Sequence, residues 1–112
     1  MKYKIPLYKP NISKKEILRV NECLRSTWIS SKGKYIDKFE KLFSRYTKIK
    51  HSTVVVNGTA ALHLALLALN IKSGDEVIVP TFTYVASVNA IKYVNAKPVF
   101  IDSNLDDWQL SI

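Results

Sequence analysis

The chain predicts an α/β domain built on a mostly parallel sheet with flanking helices, preceded by two further helices. Three observations lead there. From Ser52 onward, apolar stretches of strand length (52–56, 76–79 and 98–101) alternate with helical stretches near 59–69 and 83–93. Those apolar stretches carry almost no polar alternation, the pattern of strands buried on both faces of a parallel sheet. Before Ser52 the apolar residues recur at helical spacing instead. The chain therefore divides into an amino-terminal helical segment, 1–50, and an incomplete α/β domain, 51–112.

Ser13-Lys14-Lys15-Glu16 is a capping-box pattern, in which the serine hydroxyl accepts from the first turn and the glutamate reaches back. Behind it Ile17, Leu18, Val20 and Leu24 form one apolar face, so a helix is expected to about Arg25. Ser26 to Gly33 has the small polar residues and the glycine of a loop. Tyr35, Ile36, Phe39, Leu42, Phe43 and Tyr46 then mark a second helix, ending near Tyr46. The first strand stops at Asn57-Gly58 and a strongly helical run begins at Thr59. Lys72-Ser73-Gly74-Asp75 and Asn95-Ala96-Lys97-Pro98 supply the remaining turns. Right-handed crossovers place both strand-to-helix turns on one edge of the sheet, the carboxyl edge where open α/β sheets bind ligands. Three parallel strands with two crossover helices leave open edges and one thinly covered face, so the sequence reads as the leading part of a larger protein that folds marginally alone.

Composition narrows the function. At 112 residues with 47% apolar content the chain is one domain at most and has no apolar run of membrane-spanning length. Residues 1–10 lack the continuous apolar stretch of a secretory signal, and the lone Cys23 forms no internal disulfide; the expected compartment is the cytoplasm. The net charge of +8 comes from seventeen basic residues, fourteen of them lysines scattered from Lys2 to Lys97. Arginine occurs only at 19, 25 and 45, so a solvated lysine-rich surface is expected rather than a nucleic-acid partner. One cysteine and two histidines at unrelated spacings make no metal pattern. His63, within an apolar helical run, reads as a packed histidine.

Two motifs carry chemistry. At Asn57-Gly58-Thr59-Ala60, the amides of residues 58 to 60 and the Thr59 hydroxyl are placed to hold a phosphate at a helix start; an ordinary turn with Thr59 near the cap is the alternative. At Pro80-Thr81-Phe82-Thr83-Tyr84, a ring just past a strand end can stack on a heteroaromatic ring, worth about 0.5–1.5 kcal/mol, or can simply cover the core. Together, one βα unit apart on one predicted edge, they describe a site for a phosphorylated ring cofactor. Trp28 to Gly33 offers hydroxyls to a substrate, although a plain linker between helices has the same composition.

Asn57-Gly58-Thr59-Ala60-Ala61-Leu62-His63, Gly74 to Pro80, and Thr81-Phe82-Thr83-Tyr84-Val85-Ala86 resemble the sugar aminotransferases of the DegT/DnrJ/EryC1/StrS group. Within it, Thr27 to Gly33 and Ala86 to Tyr93 are most similar to the branch acting on GDP-linked 4-keto-6-deoxy sugars. The resemblance covers the whole chain, as roughly the first third of such an enzyme. It implies the amino-terminal part of a fold-type I large domain that binds pyridoxal 5'-phosphate, in a homodimer with sites at the subunit interface. It also implies transfer of an amino group, usually from glutamate, to a nucleotide-linked keto sugar such as GDP-4-keto-6-deoxymannose, for surface-polysaccharide or O-antigen synthesis. By matching position, Gly58, Thr59 and Ala60 are the phosphate turn, Tyr84 the stacking ring, and Ser30 and Ser31 part of a loop near the sugar. The family's Schiff-base lysine and ring-nitrogen aspartate lie beyond the matched region. None of the fourteen lysines, and none of Asp102, Asp106 and Asp107, sits in those motifs, so this chain alone is expected to have no transaminase activity. A non-catalytic remnant or binding module that keeps the phosphate turn, and an aminotransferase for another keto sugar nucleotide, remain as alternatives.

Overall fold

The computed structural model describes residues 8–111; most of the 1–10 stretch weighed above as a leader lies outside them. The chain forms two compact units, one ending at Val54 and the other beginning at Val55.

In the first unit, α1 (Lys14–Ser26) begins as its sequence dictates. The Ser13 side chain accepts from Lys15 N–H, and Ser13 N–H donates to Glu16 Oε2 at 2.6 Å, completing the capping box. That hydrogen bonding to Ser13 also lowers the Glu16 carboxyl pKa. The helix closes on Thr27, in the left-handed region at φ 59°, with its N–H on Leu24 O at 3.2 Å. After the loop, α2 (Lys34–Thr47) starts at Gly33, which offers no side-chain cap. Phe39 and Phe43, one turn apart, stack at 5.7 Å. Glu22 on α1 joins the two helices through side chains: it accepts from Lys34 Nζ, from Tyr35 OH and from Arg19. The periodicity that predicts these helices names no partner for their apolar stripes. Leu18, Val20, Leu24, Phe39 and Leu42 are each more than half exposed.

Residues 52–56 depart from the expected strand. A strand needs a neighbour for its backbone donors, and among the described residues none pairs with this stretch. Val54 N–H donates instead to Glu40 Oε1 at 2.9 Å, and Ser52 Oγ donates to Glu40 O at 2.6 Å.

The second unit runs α3 (Gly58–Ala68), β1 (Glu76–Pro80), α4 (Val85–Tyr93) and β2 (Lys97–Ile101). The strands pair in parallel from Glu76↔Lys97 to Pro80↔Ile101. Between α3 and β1 the chain turns through Asn70 at φ 58° and Gly74 at φ 97°, the second of which favours glycine. Helix α4 packs on both strands and α3 packs against α4. The core is Val79, Ala90, Ile91, Val94 and Ala96, with Leu66, Ile71, Val77 and Val88 around it. Ile78 and Phe100 stay 57% and 55% exposed, so burial on both strand faces is not met. The apolar composition of the strands asks for a second covering layer, and the described residues supply only one.

Helix α3 ends where the chain turns back into the start of β1, and α4 ends where it turns back into the start of β2. Since β1 and β2 are parallel and α4 joins them, α4 runs against the strands and begins at the carboxyl edge of the sheet, and α3, which leads into β1, packs against α4.

Candidate functional site: the carboxyl edge of the sheet

Asn57 is the N-cap of α3. Its backbone is extended (φ −163°, ψ 174°), its Oδ1 accepts from Ala60 N–H at 2.9 Å, and its carbonyl accepts from Ala61 N–H at 3.1 Å. This is the cap that asparagine supplies best, placed two residues ahead of Thr59. Of the three amides expected to face a phosphate, that of Ala60 is therefore engaged by Asn57. The N–H groups of Gly58 and Thr59 have no partner among the described residues, since the first turn of a helix has no carbonyl to offer them.

Gly58 carries the most telling geometry. Its φ lies outside the left-handed region, and a Cβ built on it meets no atom within 4 Å. Neither backbone strain nor crowding within the chain asks for glycine here. Open space over two unpartnered donors fits a phosphate, which must approach the backbone closely and gains from the helix-terminus field.

Tyr84 is the N-cap of α4, extended at φ −70° and ψ 137°, and its side chain is 81% exposed. It covers no core. Its neighbour Phe82 instead packs on Trp108, with ring centroids 5.0 Å apart. Thr83 Oγ1 and Ser87 Oγ lie 3.1 Å apart across the first turn of α4. The Gly58 turn and the Tyr84 turn thus open two helices, α3 and α4, that pack against each other. His63 is half-buried and meets the Tyr93 ring edge-on at 5.5 Å, a packing role.

In the first unit, a cavity of about 670 Å³ lies between the end of α1 and the start of α2. Ser30 lines it, beside Trp28, Lys32 and Asp37, whereas Ser31 does not. Sequence reasoning missed Asn57 as the cap, although an asparagine just ahead of a helical run signals one. Lys32 falls in the Trp28–Gly33 stretch singled out above, whereas Asp37 bears no motif, and the two come together on the cavity wall only through the turn between two helices.

Parallel strands flanked by helices match the fold-type I architecture of pyridoxal-phosphate-dependent aminotransferases seen in solved relatives. Spr1654 of Streptococcus pneumoniae, described as a sugar aminotransferase and solved in a PLP form, superposes with a TM-score of 0.89 at 39% identity, over 97% of this chain and 28% of that one. The particular family follows from the sequence: the profile of the DegT/DnrJ/EryC1/StrS aminotransferase family matches residues 10–112, and the chain belongs to that family. It is 62% identical to GDP-perosamine synthase of Escherichia coli O157:H7 over all 112 residues, which make up 30% of that protein. It is 54% identical to GDP-perosamine synthase of Vibrio cholerae over 96% of this chain and 29% of that protein. The chain thus spans under a third of the length of these curated relatives. The cofactor of the family is pyridoxal 5'-phosphate.

Proposed function

We propose that this chain is the amino-terminal segment of an aminotransferase that converts GDP-4-keto-6-deoxymannose to its 4-amino sugar, with glutamate as donor, for surface-polysaccharide synthesis. The identity to the E. coli relative carries the reading, because it extends along the whole chain. The enzyme works as a homodimer in the cytoplasm; among the described residues no helix is long and apolar enough to cross a membrane.

In this reading Gly58 and Thr59 donate their N–H groups, and Thr59 its hydroxyl, to the cofactor phosphate. Gly58 keeps the approach clear, and Asn57 keeps the helix start in shape. Tyr84 stacks on the cofactor ring from the neighbouring turn. Ser30 contributes to substrate binding from the α1–α2 loop, and Ser31 belongs to the same loop. When bound, the cofactor supplies an electron sink for the carbon that exchanges its amino group. The groups that move protons belong to the part of the enzyme outside this chain.

The test joins residues 1–112 to the remaining segment of the E. coli relative. With glutamate and pyridoxal phosphate, the chimera is expected to aminate GDP-4-keto-6-deoxymannose, read by mass spectrometry of the sugar nucleotide. A folded chimera that binds pyridoxal phosphate and leaves this substrate unchanged overturns the proposal.

A further inference from the structure

The cavity between α1 and α2 has a chemistry that the cofactor turn does not use. Trp28, 64% exposed, offers a broad flat face on its wall. Lys32 and Asp37 line the same space, and neither side chain has an ion-pair or hydrogen-bond partner among the described residues. The nearby Lys34 is different, since Glu22 already engages its ammonium. Its volume of about 670 Å³ is ample for a nucleotide.

Each group matches one part of a guanosine diphosphate. An indole face stacks on a purine. A free carboxylate presents two acceptors side by side. Guanine answers with two adjacent donors, N1–H and the N2 amino group, in a bidentate, charge-assisted pair. Uracil offers one donor flanked by two carbonyls that repel a carboxylate, and the adenine edge has a single amino group beside an acceptor. An unpaired ammonium attracts the diphosphate.

We propose that this cavity holds the guanosine diphosphate of the substrate, with Trp28 as the stacking platform, Asp37 as the residue that selects guanine, and Lys32 as the diphosphate contact. This rests on the reading of the substrate as a GDP-linked sugar and assigns the base selection within it to one carboxylate.

The experiment titrates the full chain with GDP, UDP and ADP, following tryptophan fluorescence, with circular dichroism confirming that each variant keeps its helices. GDP is expected to bind at least about tenfold more tightly than UDP or ADP, a margin typical of one well-paired polar contact. Asp37→Ala abolishes that preference, the near-isosteric Asp37→Asn weakens it, Lys32→Ala weakens all three nucleotides, and Trp28→Leu does likewise. Equal affinities in the unaltered chain, no binding by a helical chain, or a preference that survives Asp37→Ala each overturn the proposal. If the isolated chain lacks helical structure, the same Asp37→Ala comparison is made on the chimera, as KM for GDP- against UDP-linked keto sugar. Amination of the GDP sugar with unchanged KM in Asp37→Ala refutes the base-selecting role while leaving the aminotransferase reading intact.

Discussion

Replacing Gly58 with alanine separates what the fold needs from what the ligand needs. The backbone there is compatible with any L-residue, and the added methyl meets no atom of the chain within 4 Å. Removing glycine flexibility from the unfolded state at such a position stabilises by about 0.4–1 kcal/mol. For a domain of this size that raises Tm by about 2–6 °C. The effect on binding has the opposite sign. A helix Cβ leans toward the amino end, the side on which the free Gly58 and Thr59 N–H groups point. A phosphate oxygen bonded to those groups sits about 2.9 Å from nitrogen, and a methyl group competes for that space. A loss of at least tenfold in pyridoxal-phosphate affinity, about 1.4 kcal/mol, is expected. Thermal denaturation followed by circular dichroism reads the first effect, and cofactor fluorescence titration reads the second. A variant that is more stable and binds as tightly as the parent refutes the assignment of Gly58 to the phosphate approach.

Other perturbations separate the remaining roles. Asn57→Ala removes the acceptor for Ala60 N–H and is expected to cost about 1 kcal/mol of stability; Asn57→Ser should recover most of it in the same melting assay. Tyr84→Ala, at an 81% exposed side chain, should change stability by no more than about 0.5 kcal/mol, yet weaken pyridoxal-phosphate binding about 2- to 13-fold, the equivalent of one lost stacking contact; Tyr84→Phe should bind like the parent. Ile91→Ala, in the core at 3% exposure, should destabilise by about 2–5 kcal/mol in urea unfolding. The Glu22 carboxyl is held down at about 2 by the bond from Lys34 and then by that from Tyr35. Its folded pKa lies below the ordinary 4.5, so its contribution is present above that value and fades as pH falls from there toward 2. A carboxyl NMR titration should place its midpoint near 2, and a midpoint at 4 or above contradicts the Glu22–Lys34–Tyr35 contact.

Much of this organisation is legible in single residues. Ser13 and Glu16 announce the start of α1 because a capping box is a local device, complete within four residues. The β1–α4–β2 unit is legible because its turns and its change of period are local as well. What local pattern cannot supply is a partner. Residues 52–56 have the β-branched composition of a strand, but pairing depends on a neighbour that the described residues do not provide. Ile78 and Phe100 look like two-sided core for the same reason. At the site, Gly58 and Tyr84 stand out in the sequence through their places at strand-to-helix junctions. The engagement of Ala60 by Asn57 depends on where the helix begins, and helix ends are the least determined part of any pattern. Lys32 lies inside the Trp28–Gly33 stretch that stands out in the sequence, but Asp37 carries no sequence signal; only the turn from α1 into α2 puts both on the wall beside Trp28.

Amide NMR of the isotopically labelled chain tests most directly whether the Gly58 turn and the Tyr84 ring grip the two ends of one pyridoxal phosphate. Titrated with pyridoxal phosphate, the Gly58 and Thr59 amides and the Tyr84 ring protons should shift together with one dissociation constant. Inorganic phosphate should move only the two amides. Shifts confined to other residues, or Gly58 and Tyr84 responding with unrelated constants, would contradict it.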